Sequence, residues 1–204
     1  MLLLEVLDST DNEVVKTIAN NCSSYFNEIG KDLNNQLFRG VYTSAVNNMV
    51  GDYAIILKNK RENRNPKDTD LYFHKEANKY FVNKFGVPFR DSFFAIGNST
   101  TASFYGMPCL FLPIGDFSFC WSEKISDFTA LSFYISNLGD NGDVKFNMYM
   151  EQARYRTTDL VSAIKSNKEV MVYCKSAYLI MDTNDETGEK PNFDDFNKRI
   201  KSFL

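Results

Sequence analysis

The chain has 204 residues, 44% apolar and 24% charged, a composition that excludes disorder, collagen-like repeats and a long coiled coil and fits one globular domain. Its 23 basic and 26 acidic side chains leave a net charge of −3, so it lacks the global positive field that drives nonspecific nucleic-acid binding. Its 18 Phe, 11 Tyr and 1 Trp predict a core or a pocket rich in rings.

Met1-Leu2-Leu3-Leu4 runs straight into Glu5 and Asp8, without the basic start or the apolar length of a signal peptide. No stretch approaches the ~20 apolar residues that span a bilayer. A cytoplasmic protein without membrane contact is expected. Thr10-Asp11-Asn12-Glu13 reads as a capping box, and Val14, Ile18, Cys22, Tyr25, Phe26, Ile29 and Leu33 follow at helical spacing. Gln36 to Tyr42 (QLFRGVY) is a short apolar strand carrying one charge, Arg39, before Gly40. The basic window Lys58 to Lys67 lies in a polar loop reaching Thr69, either a solvated connection or a flap or docking patch. Leu71, His74, Asn78, Phe81 and Phe85 share one helical face up to the Gly86 stop; His74 there is expected to be an ordinary core or surface histidine.

Phe93 to Ile96 reads as a strand running into Gly97-Asn98-Ser99-Thr100-Thr101, a cap-like cluster that opens a short helix ending near Tyr105-Gly106. Cys109–Ile114 and Asp116–Trp121 are ring-rich strands separated by Gly115, and Ser122 with Ile125, Phe128 and Leu131 starts a helix. After the turn Gly139–Gly142, a helix covers Thr158 to Lys165, with Thr157 or Thr158 as its cap. Glu169–Tyr173 and Ala177–Met181 read as a hairpin, and Phe193, Phe196, Ile200 and Phe203 mark a last amphipathic helix. Helices and short strands alternate without a βαβ rhythm, so the expected class is α+β with a mostly antiparallel or split sheet. Cys22, Cys109, Cys120 and Cys174 stand far apart without a CxxC pair; buried reduced thiols are expected, and no metal site.

Three residues sit where strand burial argues against them: Arg39 inside LFRGV, Ser99 at a strand-to-helix junction, and Glu169 at the head of EVMV. A charge on a buried strand is costly unless paired, so each calls for a partner or a ligand. Each also has a plain structural use: Arg39 pairing with a buried acid, Ser99 capping a helix, Glu169 guarding an edge strand.

With Phe38-Arg39-Gly40, then Ser99-Thr100-Thr101 with Ala102 and Tyr105-Gly106, then Asn167-Lys168-Glu169-Val170-Met171-Val172, the chain resembles the ADP-ribosyltransferases. The likeness is to the arginine–serine–glutamate group of bacterial toxins and phage transferases, and the last segment looks most like transferases that phages deliver into a host bacterium. The resemblance implies a split antiparallel sheet flanked by helices, in a single domain of residues 1–204. Its parts would be an N-terminal helical segment (1–35), a catalytic core (36–182) and a C-terminal helix (183–204). It implies NAD as substrate, transfer of ADP-ribose to a protein or nucleic-acid acceptor with release of nicotinamide, and action in the cytoplasm, that of the host if a phage encodes the chain. Water as acceptor would make the chain an NAD glycohydrolase, and a fold kept without activity would make it a binding or structural protein.

By this resemblance Glu169 bonds the ribose 2′-hydroxyl, Arg39 holds the pyrophosphate or the adjacent ribose, and Ser99, or Thr100 or Thr101 in its place, orients the carboxylate. Gly40 lets the backbone approach the nicotinamide amide, and Tyr105 or Phe104 stacks on the ring. Asn167 stands where members that modify arginine carry a second Glu; an amide there holds an acceptor without acting as a base. Glu123, after Trp121-Ser122, is the second choice for a catalytic acid.

Overall fold

The computed structural model describes residues 11–42, 54–59, 66, 69–136, 142–182 and 193–204. Thr10, most of the basic loop, residues 139–141 of the turn and the polar stretch 183–190 lie outside them. Asp11–Asn21 (α1) and Ser23–Glu28 (α2) carry a buried stripe of Val14, Ile18, Cys22, Tyr25, Phe26 and Ile29, the apolar face that the spacing implied. One continuous helix was expected here. Instead the backbone turns at Cys22 (φ −105°, ψ 17°), and Gly30 and Lys31, both at positive φ, stop α2 before Leu33.

Phe38–Val41 (β1) and Ala54–Lys58 (β2) precede the long helix Leu71–Phe85 (α3), capped by Asp70 at its start and by Gly86 at φ 75° at its end. A 3-10 turn, Phe89–Asp91, leads into Phe93–Ala95 (β3), then Ser99–Ser103 (α4), Met107–Pro113 (β4) and Ser118–Trp121 (β5). Phe128–Ser136 (α5), Gly142–Gln152 (α6), Leu160–Lys165 (α7), Val170–Tyr173 (β6), Ser176–Met181 (β7) and Phe193–Lys201 (α8) complete the described elements.

These strands form two antiparallel sheets, ordered β1-β4-β7-β2 and β3-β6-β5. Together with the helices they make an α+β protein. The expected hairpin of β6 and β7 does not form. Both edges of β6 are taken by β3 and β5, both edges of β7 by β4 and β2, so the link Cys174–Lys175 carries the chain from one sheet into the other. Among the described residues the sheets meet at one bridge: Phe38 N–H donates to the Ile96 carbonyl at 2.7 Å, and Ile96 N–H to the Phe38 carbonyl at 2.9 Å.

Alternation along β6 divides the interior. Val170 and Val172 join the larger apolar cluster with Phe93, Phe111, Phe119 and Trp121, while Met171 joins a second one with Phe81, Phe89, Phe128 and Tyr155. Both faces of the three-stranded sheet are therefore covered.

Three helix starts differ from the expected ones. Asn98, not Ser99, caps α4, accepting from the Thr101 N–H at 2.8 Å. Ser122 makes a turn rather than a helix start: its Oγ accepts from Lys124 and Ile125 N–H and donates to the Ala153 carbonyl. Asp127 takes the N–H of Ala130 at the head of α5. For α7 the cap is Asp159, not Thr157 or Thr158. Among the described residues no helix is long and apolar enough to cross a membrane.

Candidate active site at the seam of the two sheets

The seam is built around Ile96. Bonded to Phe38 on one side, it follows directly on Ala95, which faces Val170 in the β3–β6 register, just as Glu169 directly precedes Val170. β1, which carries Arg39, and β6, which Glu169 directly precedes, thus lie about two strand spacings, roughly 10 Å, apart, and Ser99 lies three residues beyond Ile96.

Arg39 is half-buried, and its Nη1 donates to the Phe94 carbonyl at 2.6 Å. Phe94 precedes Ile96 by two residues and turns its backbone to the same edge. Past the bridge to Phe38, Arg39 reaches that edge from β1. The guanidinium also lies 5.9 Å from the centre of the Phe93 ring.

Next to it, Gly40 is packed beneath α4. A Cβ there would stand 2.4 Å from the Ala102 carbonyl oxygen and 2.7 Å from the Tyr105 carbonyl carbon. The close approach that Gly40 permits is made by the chain's own helix. Ser99 opens α4 half-buried, Thr100 is exposed, and the rings of Phe104 and Tyr105 lie at the surface, 81% and 63% exposed.

Glu169 enters β6 with its N–H on the Ser126 carbonyl at 2.8 Å. Its Oε1 accepts from Arg90 Nη1 at 3.3 Å and from Phe128 N–H at 3.4 Å, and 21% of its side chain is exposed. Asn167, two residues earlier, is exposed in the turn from α7 at φ 53°, a left-handed conformation that Asn tolerates well.

The sequence reading missed Arg90. Its guanidinium is buried between the rings of Phe94, at 4.7 Å, and Phe128, at 4.1 Å. Burial lowers its pKa; the nearby Glu169, then Tyr155, Asp127 and Asp91, act in the opposite direction. A continuous path of contacts results: Arg39 on the Phe94 carbonyl, the Phe94 ring on Arg90, Arg90 on Glu169.

Other candidates fall elsewhere. Glu123 pairs with Arg156 at 2.7 Å, and Arg156 lies over the buried Trp121. His74 is buried on α3 and bonds Asp91 at 3.0 Å, where Asn78 Nδ2 also donates at 2.9 Å. All four cysteines are buried and unpaired, and burial pushes Cys109 and Cys174 up to about 12. Among the described residues no cluster of His, Cys, Asp and Glu could hold a metal ion. The chain matches no family model, no curated protein and no solved structure.

Proposed function

We propose that the chain is a mono-ADP-ribosyltransferase that uses NAD as substrate. The observation that supports this reading is the path of contacts from Arg39 through Phe94 and Arg90 to Glu169. Cleavage of the nicotinamide–ribose bond passes through an oxocarbenium-like state, as in glycoside hydrolysis. The Glu169 carboxylate stabilises the positive charge growing on the ribose. Arg39 offers a rigid fork of donors to the pyrophosphate or its ribose. Nicotinamide leaves with the bonding electrons, and a nucleophile of a protein or nucleic acid adds to the ribose carbon and gives its proton to water. Asn167 holds that acceptor, because its amide takes no proton.

The test is labelled NAD with a host lysate, comparing wild type with Glu169→Ala and Arg39→Ala. Release of nicotinamide with label on a macromolecule, lost by about 100-fold or more in Glu169→Ala, is expected. Equal activity in Glu169→Ala would sink the assignment. Free ADP-ribose without a labelled acceptor selects the glycohydrolase. A second reading, a noncatalytic binding or structural protein, draws on Glu169 being already engaged by Arg90 and Phe128. Absence of NAD binding by calorimetry selects it.

A further inference from the structure

Arg90 is an expensive residue to keep where it stands. A buried guanidinium costs stability unless its partner and its hydrogen bonds compensate, and an apolar side chain of similar volume often serves the fold better. Compensation here is incomplete. Nη1 meets Glu169 Oε1 at 3.3 Å and Met171 Sδ at 3.8 Å, while the buried Nε has no hydrogen-bond partner among the described residues.

The position itself is tightly fixed. Arg90 N–H donates to Asn78 Oδ1 at 2.8 Å, and the next residue, Asp91, receives Asn78 Nδ2 and His74 Nε2. α3 thus clamps the backbone on which the guanidinium is carried. The rings of Phe94 and Phe128 lie 4.7 Å and 4.1 Å from the guanidinium carbon, and Nη1 reaches one carboxylate oxygen. Phe128 N–H reaches the same oxygen.

We propose that Arg90 is a positioning residue: it tethers the Glu169 carboxylate in one orientation at the seam, so that the carboxylate meets the ribose of NAD already aligned. This rests on the transferase reading of the site. A carboxylate fixed in advance loses little freedom when the transition state forms, so the tether acts on kcat rather than on substrate binding.

The experiment measures nicotinamide release by wild type, Arg90→Met, Arg90→Lys, Glu169→Gln and the double variant Arg90→Met/Glu169→Gln, with near-ultraviolet circular dichroism to check the fold. Expected are a kcat lower by about 100-fold in Arg90→Met and about tenfold in Arg90→Lys, KM within about threefold, and a double variant no slower than Glu169→Gln alone. A merely structural arginine would instead multiply its loss onto that of Glu169→Gln. Such multiplication, or a wild-type kcat in Arg90→Lys, overturns the proposal, and Arg90→Lys decides if Arg90→Met does not fold.

If wild type releases no nicotinamide, it is the transferase reading that fails, and urea unfolding of the same variants judges the tether. Arg90→Met should then lower the folding equilibrium constant at least about tenfold more in wild type than in the Glu169→Gln background. Equal effects overturn the pairing.

Discussion

At Gly40 the constraint is steric. With the Ala102 carbonyl oxygen 2.4 Å from where a Cβ would stand, Gly40→Ala must push α4 off β1. A loss of about 1–3 kcal/mol is expected, read from the urea midpoint. Gly97→Ala should cost at least as much, because its Cβ would fall 1.8 Å from the Ile164 carbonyl oxygen. Arg39 and Glu169 stood out in the sequence because each puts a charge into or beside an apolar strand segment, and a single violation of pattern is visible without a structure. Arg90 did not. Its neighbour Asp91 makes the pair look like a solvated turn, and its burial comes from Phe94, Phe128 and Met171, of which the last two lie far along the chain.

The ends of helices show how local signals compete. Asp159 caps α7 from the left-handed region, φ 63° and ψ 64°, and accepts the Ser162 N–H at 3.1 Å. The two threonines directly before it also have cap chemistry, and Asp159 caps from the left-handed conformation, which sequence pattern does not reveal, so the sequence pointed one or two residues too early. Asp159→Ala should cost about 1 kcal/mol at neutral pH, measured by urea unfolding. Hydrogen bonds from Ser162, the hydroxyl first and then the N–H, lower the Asp159 pKa. A folded-state value below the unfolded one means that this stabilisation is complete above the ordinary carboxylate range and disappears as pH falls through the folded value. The difference between wild type and Asp159→Ala should therefore narrow in acid. Pairing of strands was less legible than their existence: EVMVY and AYLIM both lie in strand segments, but the three-residue link between them looked like a hairpin turn, and only competition for edges from β3, β5, β4 and β2 sends them apart. β2 and α6 drew no expectation at all, β2 because a short apolar run has no distinguishing period and α6 because its apolar residues form no clear stripe.

For the molecule as a whole, the ring-rich composition resolves into two packed clusters on the faces of the three-stranded sheet. Phe81 makes edge-to-face contacts with Tyr155 at 5.0 Å and Phe89 at 5.8 Å, so Phe81→Ala should destabilise by about 3–5 kcal/mol in calorimetry or urea unfolding. All four thiols are buried. They should be silent to a thiol reagent in the native protein and react together on unfolding, giving four equivalents only in denaturant; a fast-reacting native thiol would contradict this packing. The order of the strands also bears on how the protein is made. Among the described strands only β5 and β6 pair as sequence neighbours, and β6 and β7, which sit inside the two sheets, come last. While a ribosome still holds residues 170–181, of all these pairs only β1 with β4 can exist, and the apolar β4 has one edge uncovered. Nearly all sheet formation must therefore await the emergence of residues 170–181, and until then the nascent chain is a natural client for a chaperone. A fragment ending at residue 165 should show no cooperative unfolding transition by circular dichroism.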